Sequence, residues 1–212
     1  MSRSTINHQP STIAGIVLCG GRSSRMGRPK AWLPFGNETM LQRVVRTLSE
    51  VVNPIVVVAA PDQEVPSVPS DVEIVRDKRE GLGPLAGLAA GLTALHGRVN
   101  AAYVSSCDVP LLTPDFVRAV IGHLGEHDLA IPRDANYHHP LAAVYRTSLG
   151  ERCEALLAKG RRRPFDLVTM SNTQEIDVAE LRSVDPNLDS LRNANTPDEY
   201  EALLRQAEQL GR

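Results

Sequence analysis

Residues 13–21 read IAGIVLCGG, a short apolar run that ends in two adjacent glycines. An uninterrupted run of apolar and β-branched residues next to glycine is typical of a strand that a sheet buries on both faces. Gly20 and Gly21 allow the backbone to turn sharply where that strand ends. This stretch therefore predicts a buried strand over residues 13–19 that leads into a glycine-rich loop.

Strand and helix patterns alternate along the rest of the chain. Further strands are predicted over residues 55–60, 72–77, 101–108, 128–132 and 141–146. Helical patterns are predicted over residues 38–50, 83–95 and 114–124, with Thr113 as the N-cap of the last, and a final helix begins at Thr196 and Pro197. This alternation predicts a three-layer α/β domain with a mostly parallel central sheet.

The composition excludes several classes of function. The net charge is −2, so no overall positive field attracts nucleic acid or an anionic membrane, and the 4% of aromatic residues gives few side chains for base stacking. No apolar run approaches the roughly 18 residues that span a bilayer. We therefore expect no nucleic-acid partner and no membrane association.

The N-terminus and the cysteines indicate the compartment and the domain organisation. Residues 1–12 are polar and lack the apolar core of a signal peptide. Cys19, Cys107 and Cys153 are far apart and form no CxxC pair, which favours a reducing compartment. We expect a cytoplasmic protein with a polar tail over residues 1–12 and one domain over residues 13–212.

The loop that follows the first strand combines glycines with cations. Residues 18–30 read LCGGRSSRMGRPK, with cationic side chains at Arg22, Arg25, Arg28 and Lys30. Arginine suits bidentate phosphate binding and lysine acts as a compact point charge, so the loop suits a triphosphate. Ala31 follows Lys30 where a P-loop needs Ser or Thr, and the GxGxxG dinucleotide pattern is missing. The alternative is a glycine turn with a solvated basic patch.

Two aspartates follow predicted strands. Asp108 comes after YVSSC, where the carboxyl end of a strand places it beside the glycine-rich loop. A carboxylate there is suited to hold Mg²⁺, although it could also cap the next turn. Asp77 ends another strand, but the adjacent Lys78 and Arg79 offer it ion-pair partners. A ligand role and a structural role both stay open for Asp77.

The chain resembles the molybdenum cofactor guanylyltransferase family, within the broader nucleotidyltransferase superfamily. The resemblance covers roughly residues 13–205, and the GPLAG, HP and NxNTP elements are its most specific parts. The matching stretches are LCGGRSSRMGRPK, GPLAGLAAGL, SCDVPLL, HHPLAAVY, GRRRPF and NANTPDEY.

The resemblance implies a Rossmann-like nucleotidyltransferase fold that uses GTP and Mg²⁺ and transfers GMP to molybdopterin. It implies catalytic roles for Arg25, Lys30 and Asp108, with Asp108 as the metal ligand. It also implies partners among molybdenum cofactor biosynthesis proteins and recipient molybdoenzymes. The GTP-contacting residues would be Leu18, Cys19, Gly20, Gly21, Lys30, Asp77 and Asp108, and the pterin-contacting residues His139, Arg162, Arg163 and Asn195.

The sequence departs from the family pattern in three places. Cys19 stands where alanine is common, the acid before Lys30 is missing, and the strand ending at Ala60 lacks an asparagine that some members use at the nucleotide. RMGRPK is frequent in cytidylyl-transferring relatives, whereas the Gly20–Gly21 pair is similar to the guanylyl members. Transfer from CTP, transfer to a sugar phosphate and a non-catalytic carrier role are the alternatives.

Three other features have a second interpretation. His138 and His139 are adjacent, so on a strand they point to opposite faces, which favours an exposed loop pair over shared metal ligation. The cations of residues 159–163 suit either a solvated turn or a second phosphate site. Cys107 has no obvious general base in the sequence and is interpreted as a small strand-end residue.

Overall fold

The computed structural model describes residues 13–20, 28–77, 79 and 81–211. The predicted tail over residues 1–12 lies outside these residues, so the division of the chain into a tail and one domain stays a prediction. Gly21, Arg22 and Arg25 of the glycine-rich loop also lie outside them.

The described part contains one large sheet and one small hairpin. The large sheet has the order β5-β4-β1-β6-β8-β7-β9, and β8 is the strand that runs antiparallel to its neighbours. The predicted mostly parallel sheet is thus confirmed. In chain order the strands are β1 (Ile13–Leu18), β2 (Pro34–Phe35), β3 (Glu38–Thr39), β4 (Ile55–Ala59), β5 (Glu73–Arg76), β6 (Ala101–Ser106), β7 (Leu129–Arg133), β8 (Ala142–Arg146) and β9 (Thr173–Asp177).

Helices cover both faces of the large sheet, which confirms the three layers. Helices α1, α3 and α6 share a core with one face, and α2, α4 and α5 share a second core with the other. Among the described residues, no helix has both the length and the apolar character needed to cross a bilayer. The helices are α1 (Met40–Ser49), α2 (Pro84–Leu95), α3 (Pro114–Gly122), α4 (Leu149–Ala158), α5 (Phe165–Val168), α6 (Val178–Leu181) and α7 (Pro197–Gln209).

The order in which successive strands are added to the sheet reverses at β1. From β1 it moves outward to β4 and β5, and then crosses back so that β6 pairs with the other side of β1. Leu18 has Val58 and Ser106 as its register partners on the two sides. In open α/β sheets such a reversal opens a crevice beyond the carboxyl ends of the strands, and ligands bind there.

The helix starts follow the sequence signals. Thr113 caps α3 by accepting a hydrogen bond from the Phe116 backbone N–H, as predicted. Thr196 and Glu199 form a capping box at the start of α7, with Pro197 in the first turn. The hydroxyl and carboxylate satisfy backbone N–H groups that a helix start leaves without partners.

The predicted elements differ from the structure mainly at their ends. β1 ends at Leu18 and β6 at Ser106, before the predicted ends, because the following residues turn into loops. The pattern gave no prediction of α4, α5, α6 or β9. β9 is a short, largely polar edge strand with one fully buried residue, Ile176, so it carries little periodic signal.

The glycines of α2 serve close packing of the helix on β1. A Cβ added at Gly91 would lie 2.8 Å from Ile16 Cγ2 and 3.0 Å from Ile16 Cδ1, well inside contact distance. Ile16 is fully buried and its β-branched side chain has few alternative rotamers. Gly91 therefore allows α2 to pack closely on β1.

We expect Gly91→Ala to lower the free energy of unfolding by about 1–3 kcal/mol, because the added methyl overpacks the interface with Ile16. Chemical denaturation measures the change. The matched control is Gly122→Ala, since a Cβ at this helical glycine meets no atom within 4 Å. That control should be neutral or stabilising. Equal stability of the two variants would contradict the close-approach assignment.

Candidate active site

A cleft of about 1110 Å³ opens beyond the carboxyl ends of β1, β4 and β6. It lies at the point where the strand order reverses, as expected for a ligand site in this architecture. The residues predicted from the sequence that line it are Leu18, Cys19, Gly20, Lys30, Asp77, Asp108 and Asn195.

Asp108 follows β6 and is held in one orientation. The residue is 7% exposed, so its carboxylate needs hydrogen-bond partners. Oδ1 accepts hydrogen bonds from Ser106 Oγ at 2.5 Å and from Asn193 Nδ2 at 2.8 Å. These two donors fix the carboxylate so that its other oxygen, Oδ2, can accept a hydrogen bond from a third residue.

That partner is Lys30, on a short 3-10 turn (Lys30–Trp32) that follows the glycine-rich loop. Its Nζ lies 2.6 Å from Asp108 Oδ2 and 2.8 Å from Asn195 Oδ1. The Lys30 side chain is 19% exposed and that of Asp108 is 10% exposed. Because both groups are largely buried, solvent screens the pair less than it would on the surface.

The segment before α7 closes one side of the site. The backbone N–H of Ala194 donates to the Asp108 carbonyl at 2.9 Å, which fixes residues 193–195 beside β6. Asn193 and Asn195, two positions apart on this segment, both reach the Lys30–Asp108 pair. Glu199 accepts hydrogen bonds from the N–H groups of Asn195 and Thr196, so the cap of α7 also holds this segment.

The tips of β1 and β4 are joined by Gln63. Its Nε2 donates to the Cys19 carbonyl at 2.9 Å, and its Oε1 accepts from the Ala60 N–H at 3.2 Å. The Arg76 guanidinium donates to the carbonyls of Ala60 and Gln63. A backbone carbonyl and an N–H, both on the cleft wall, are thus bridged by one carboxamide.

Asp77 lies on the cleft wall at the end of β5. Its Oδ1 accepts a hydrogen bond from the Arg79 backbone N–H at 3.0 Å. The Arg79 guanidinium instead pairs with Glu154 on α4, with Nη2 2.6 Å from Oε1. Asp77 therefore faces the cleft with a local turn bond, and both its ligand role and its structural role stay open.

Two thiols meet at the base of the cleft. A hydrogen bond between Cys19 and Cys107 lowers the pKa of Cys19 and, together with burial, raises the pKa of Cys107 well above its ordinary value. Cys107 therefore stays protonated near neutral pH and is a poor nucleophile. This agrees with its interpretation as a small strand-end residue.

Three predicted residues that the structure describes, His139, Arg162 and Arg163, are not among those that line the cleft. His139 Nε2 contacts Asp134 at 3.1 Å, whereas His138 contacts Glu175 at 2.9 Å, so the two histidines have separate acidic partners. Arg162 and Arg163 are exposed, and the Arg162 carbonyl lies 3.3 Å from where a Cβ on Gly83 would be. Their assignment to the pterin stays a prediction.

Sequence reasoning missed three site residues: Ser106, Asn193 and Gln63. Ser106 and Asn193 each stand two positions before a predicted site residue, Asp108 and Asn195. The period of two in extended chain could have identified both. Gln63 lies in an irregular loop, where no periodic signal marks it.

The arrangement suits a divalent cation that is shared with a phosphate ligand. Mg²⁺ prefers oxygen ligands and often takes only one or two carboxylates, with the remainder from water and substrate phosphates. A cationic group already lies on Asp108 Oδ2, so this oxygen is directed at a position that accepts positive charge. Among the described residues, no group of three or more His, Cys, Asp or Glu is placed to hold a metal by itself.

Comparison with known proteins identifies the family of the chain. The family described as "MobA-like NTP transferase domain" matches residues 15–173. A protein of Mycobacterium avium named "Probable molybdenum cofactor guanylyltransferase" is 39% identical over 197 residues, which cover 90% of this chain and 94% of that protein. A relative of the same name from Mycobacterium bovis is 37% identical over 195 residues, 89% of this chain and 95% of the relative.

A solved structure shares the fold. The "Molybdopterin-guanine dinucleotide biosynthesis protein A" of Archaeoglobus fulgidus superposes with a TM-score of 0.74 at 25% identity, over 93% of this chain and 98% of that one. The range that the family matches, residues 15–173, includes Lys30 and Asp108. The chain belongs to the family of MobA-like NTP transferases.

Proposed function

We propose that this chain transfers GMP from GTP to the terminal phosphate of molybdopterin, with release of pyrophosphate and formation of molybdopterin guanine dinucleotide. The observation that carries the proposal is the Lys30–Asp108 pair, which lies in the cleft of a nucleotidyltransferase fold. The alignments cover nearly the full length of the two relatives, and both relatives are named as guanylyltransferases, which supports guanine as the base.

In this proposal the cleft holds GTP along the tips of β1, β4 and β5. Leu18, Cys19, Gly20 and Asp77 line that part of the cleft. The proposed contact of Gly21 with GTP lies outside the described residues. The Cys19 carbonyl and the Ala60 N–H, now bridged by Gln63, are an acceptor and a donor suited to the edge of a base. Gly20 lets the backbone approach the nucleotide closely.

Asp108 is the proposed ligand of Mg²⁺, which would neutralise charge on the phosphates. Ser106 and Asn193 hold the carboxylate in the orientation that this role needs. Lys30 and Arg25 would contact the triphosphate and stabilise the negative charge that moves to the leaving pyrophosphate.

The reaction needs no covalent intermediate on the protein. A terminal phosphate oxygen of molybdopterin attacks the α-phosphorus of GTP, a new P–O bond forms, and the bond to the β-phosphate oxygen breaks. The chain orients the two substrates and neutralises charge, which is the usual division of work in phosphoryl-group transfer. The raised pKa of Cys107 agrees with a thiol that takes no part.

The pterin end of the cleft is proposed to involve His139, Arg162, Arg163 and Asn195. Arg162 lies against Gly83, at the start of α2, which also lines the cleft. We further propose a cytoplasmic location, where cofactor biosynthesis proteins would supply molybdopterin and molybdoenzymes would receive the product. The three cysteines are buried and free, as a reducing compartment permits.

Calorimetric titration with GTP, CTP, UTP and ATP in the presence of Mg²⁺ tests the choice of nucleotide. We expect GTP to bind at least about tenfold more tightly than the others, since a site that hydrogen-bonds a base edge discriminates against bases that leave its groups unpaired. Preference for CTP would move the protein to cytidylyl transfer with the same fold.

Asp108→Asn should lower turnover by at least about 100-fold at saturating Mg²⁺, because it removes the charge proposed to hold the metal. Pyrophosphate release from GTP and molybdopterin measures the loss. Asp115→Asn is the matched control, since Asp115 is an exposed aspartate on α3 that pairs with Arg118. Turnover by Asp108→Asn at the rate of that control would refute the metal assignment.

Asn193→Ala should lower turnover by about 10–100-fold, because Asp108 then keeps only Ser106 as a partner on Oδ1. As Asn193 is proposed to act through Asp108, the KM for GTP should change less than turnover does. Asn172→Ala at an exposed position serves as control. A loss confined to KM would argue that Asn193 instead contacts substrate.

A further inference from the structure

Both oxygens of the Asp108 carboxylate are engaged by the protein itself. Ser106 and Asn193 donate to Oδ1, and the Lys30 ammonium lies 2.6 Å from Oδ2. Asn195 accepts a second hydrogen bond from the same ammonium at 2.8 Å. Lys30 thus lies on the oxygen to which a metal would bind.

A divalent cation bound at Oδ2 would lie within a few ångströms of the Lys30 ammonium. Like charges repel strongly at that distance where solvent screening is weak, and both side chains here are largely buried. We therefore expect a metal to displace Lys30. The lysine side chain is long and flexible, so it can leave without movement of the backbone.

The displaced ammonium needs a new anionic partner. Arg28, Pro29 and Lys30 all line the cleft. We therefore expect a triphosphate bound there to lie within reach of the Lys30 side chain. A metal that arrives alone breaks the contact between the ammonium and Asp108. A metal that arrives with a triphosphate supplies a replacement.

We propose that Lys30 is an internal counter-cation that occupies Asp108 until a divalent metal and a triphosphate arrive together, a role that rests on the function proposed above. Lys30 is then a positioning residue before substrate binds and a phosphate contact afterwards. The nucleotide-free protein keeps the metal position closed, and metal and nucleotide bind with positive cooperativity. Asn195 stabilises the closed arrangement through its bond to Lys30.

Binding of Mn²⁺ to the nucleotide-free protein tests this directly. Carboxylate oxygens bind Mn²⁺ as they bind Mg²⁺, and electron paramagnetic resonance measures the free ion. We expect weak binding by the natural chain and at least about tenfold tighter binding by Lys30→Met, which removes the displaced charge. Lys30→Arg keeps a cation on Asp108 and should bind Mn²⁺ within about twofold of the natural chain.

Asn195→Ala provides a second variant that keeps Lys30. It removes the hydrogen bond between Lys30 and the Asn195 carboxamide and should raise Mn²⁺ affinity by about threefold, a smaller effect than that of Lys30→Met. Thermal unfolding of each variant reports that it is folded. Equal Mn²⁺ affinity of the natural chain, Lys30→Met and Asn195→Ala would overturn the counter-cation role.

Asp108→Asn separates this role from the proposed function, because Mn²⁺ binding that is lost in Asp108→Asn but unchanged by Lys30→Met would overturn the counter-cation role and leave the metal assignment standing. We expect that variant to lose Mn²⁺ binding both with and without Lys30→Met, because the metal has lost its carboxylate. If Lys30→Met bound Mn²⁺ more tightly and the added Asp108→Asn change left that affinity intact, Asp108 would not be the ligand, and both the metal assignment and the counter-cation role would be wrong.

Discussion

The ion pair between Lys30 Nζ and Asp108 Oδ2 is the interaction on which the account of this cleft depends. It joins the loop after β1, the end of β6 and the segment before α7, which are far apart in the sequence. A largely buried pair of this kind is costly to break on one side only, since the remaining charge is left unpaired. The pair therefore helps to hold the three segments together.

The sheet provides the rigid base for that pair. β1 lies between β4 and β6, and the chain reverses across it, so the loops after all three strands converge. Close packing of α2 on β1 at Gly91 fixes the helix whose start lines the same cleft. The capping box of α7 adds a further restraint, because Glu199 holds the N–H groups of Asn195 and Thr196. The fold thus places polar groups at the carboxyl ends of the strands, while the cores on the two faces of the large sheet are formed by apolar side chains.

Much of the fold could be predicted because its strongest signals are local. Strands β1 and β4 are uninterrupted apolar runs, and the start of α7 has a threonine cap followed by proline. Each of these signals depends only on residues that are adjacent in the sequence. The edge strand β9 and the short helices α5 and α6 have few buried residues and follow from tertiary packing. In the site, Lys30 and Asp108 were predicted by residue type and position, but their direct contact and the role of Asn193 depend on how distant segments meet.

The most direct measurement of the central claim is a crystal structure of the protein with Mn²⁺ and a non-hydrolysable GTP analogue, with anomalous data for the metal. The expected result is an anomalous peak about 2.1 Å from Asp108 Oδ2, with Lys30 Nζ moved from the carboxylate to a phosphate oxygen. A metal bound elsewhere, with the Lys30–Asp108 pair intact beside the bound nucleotide, would contradict it.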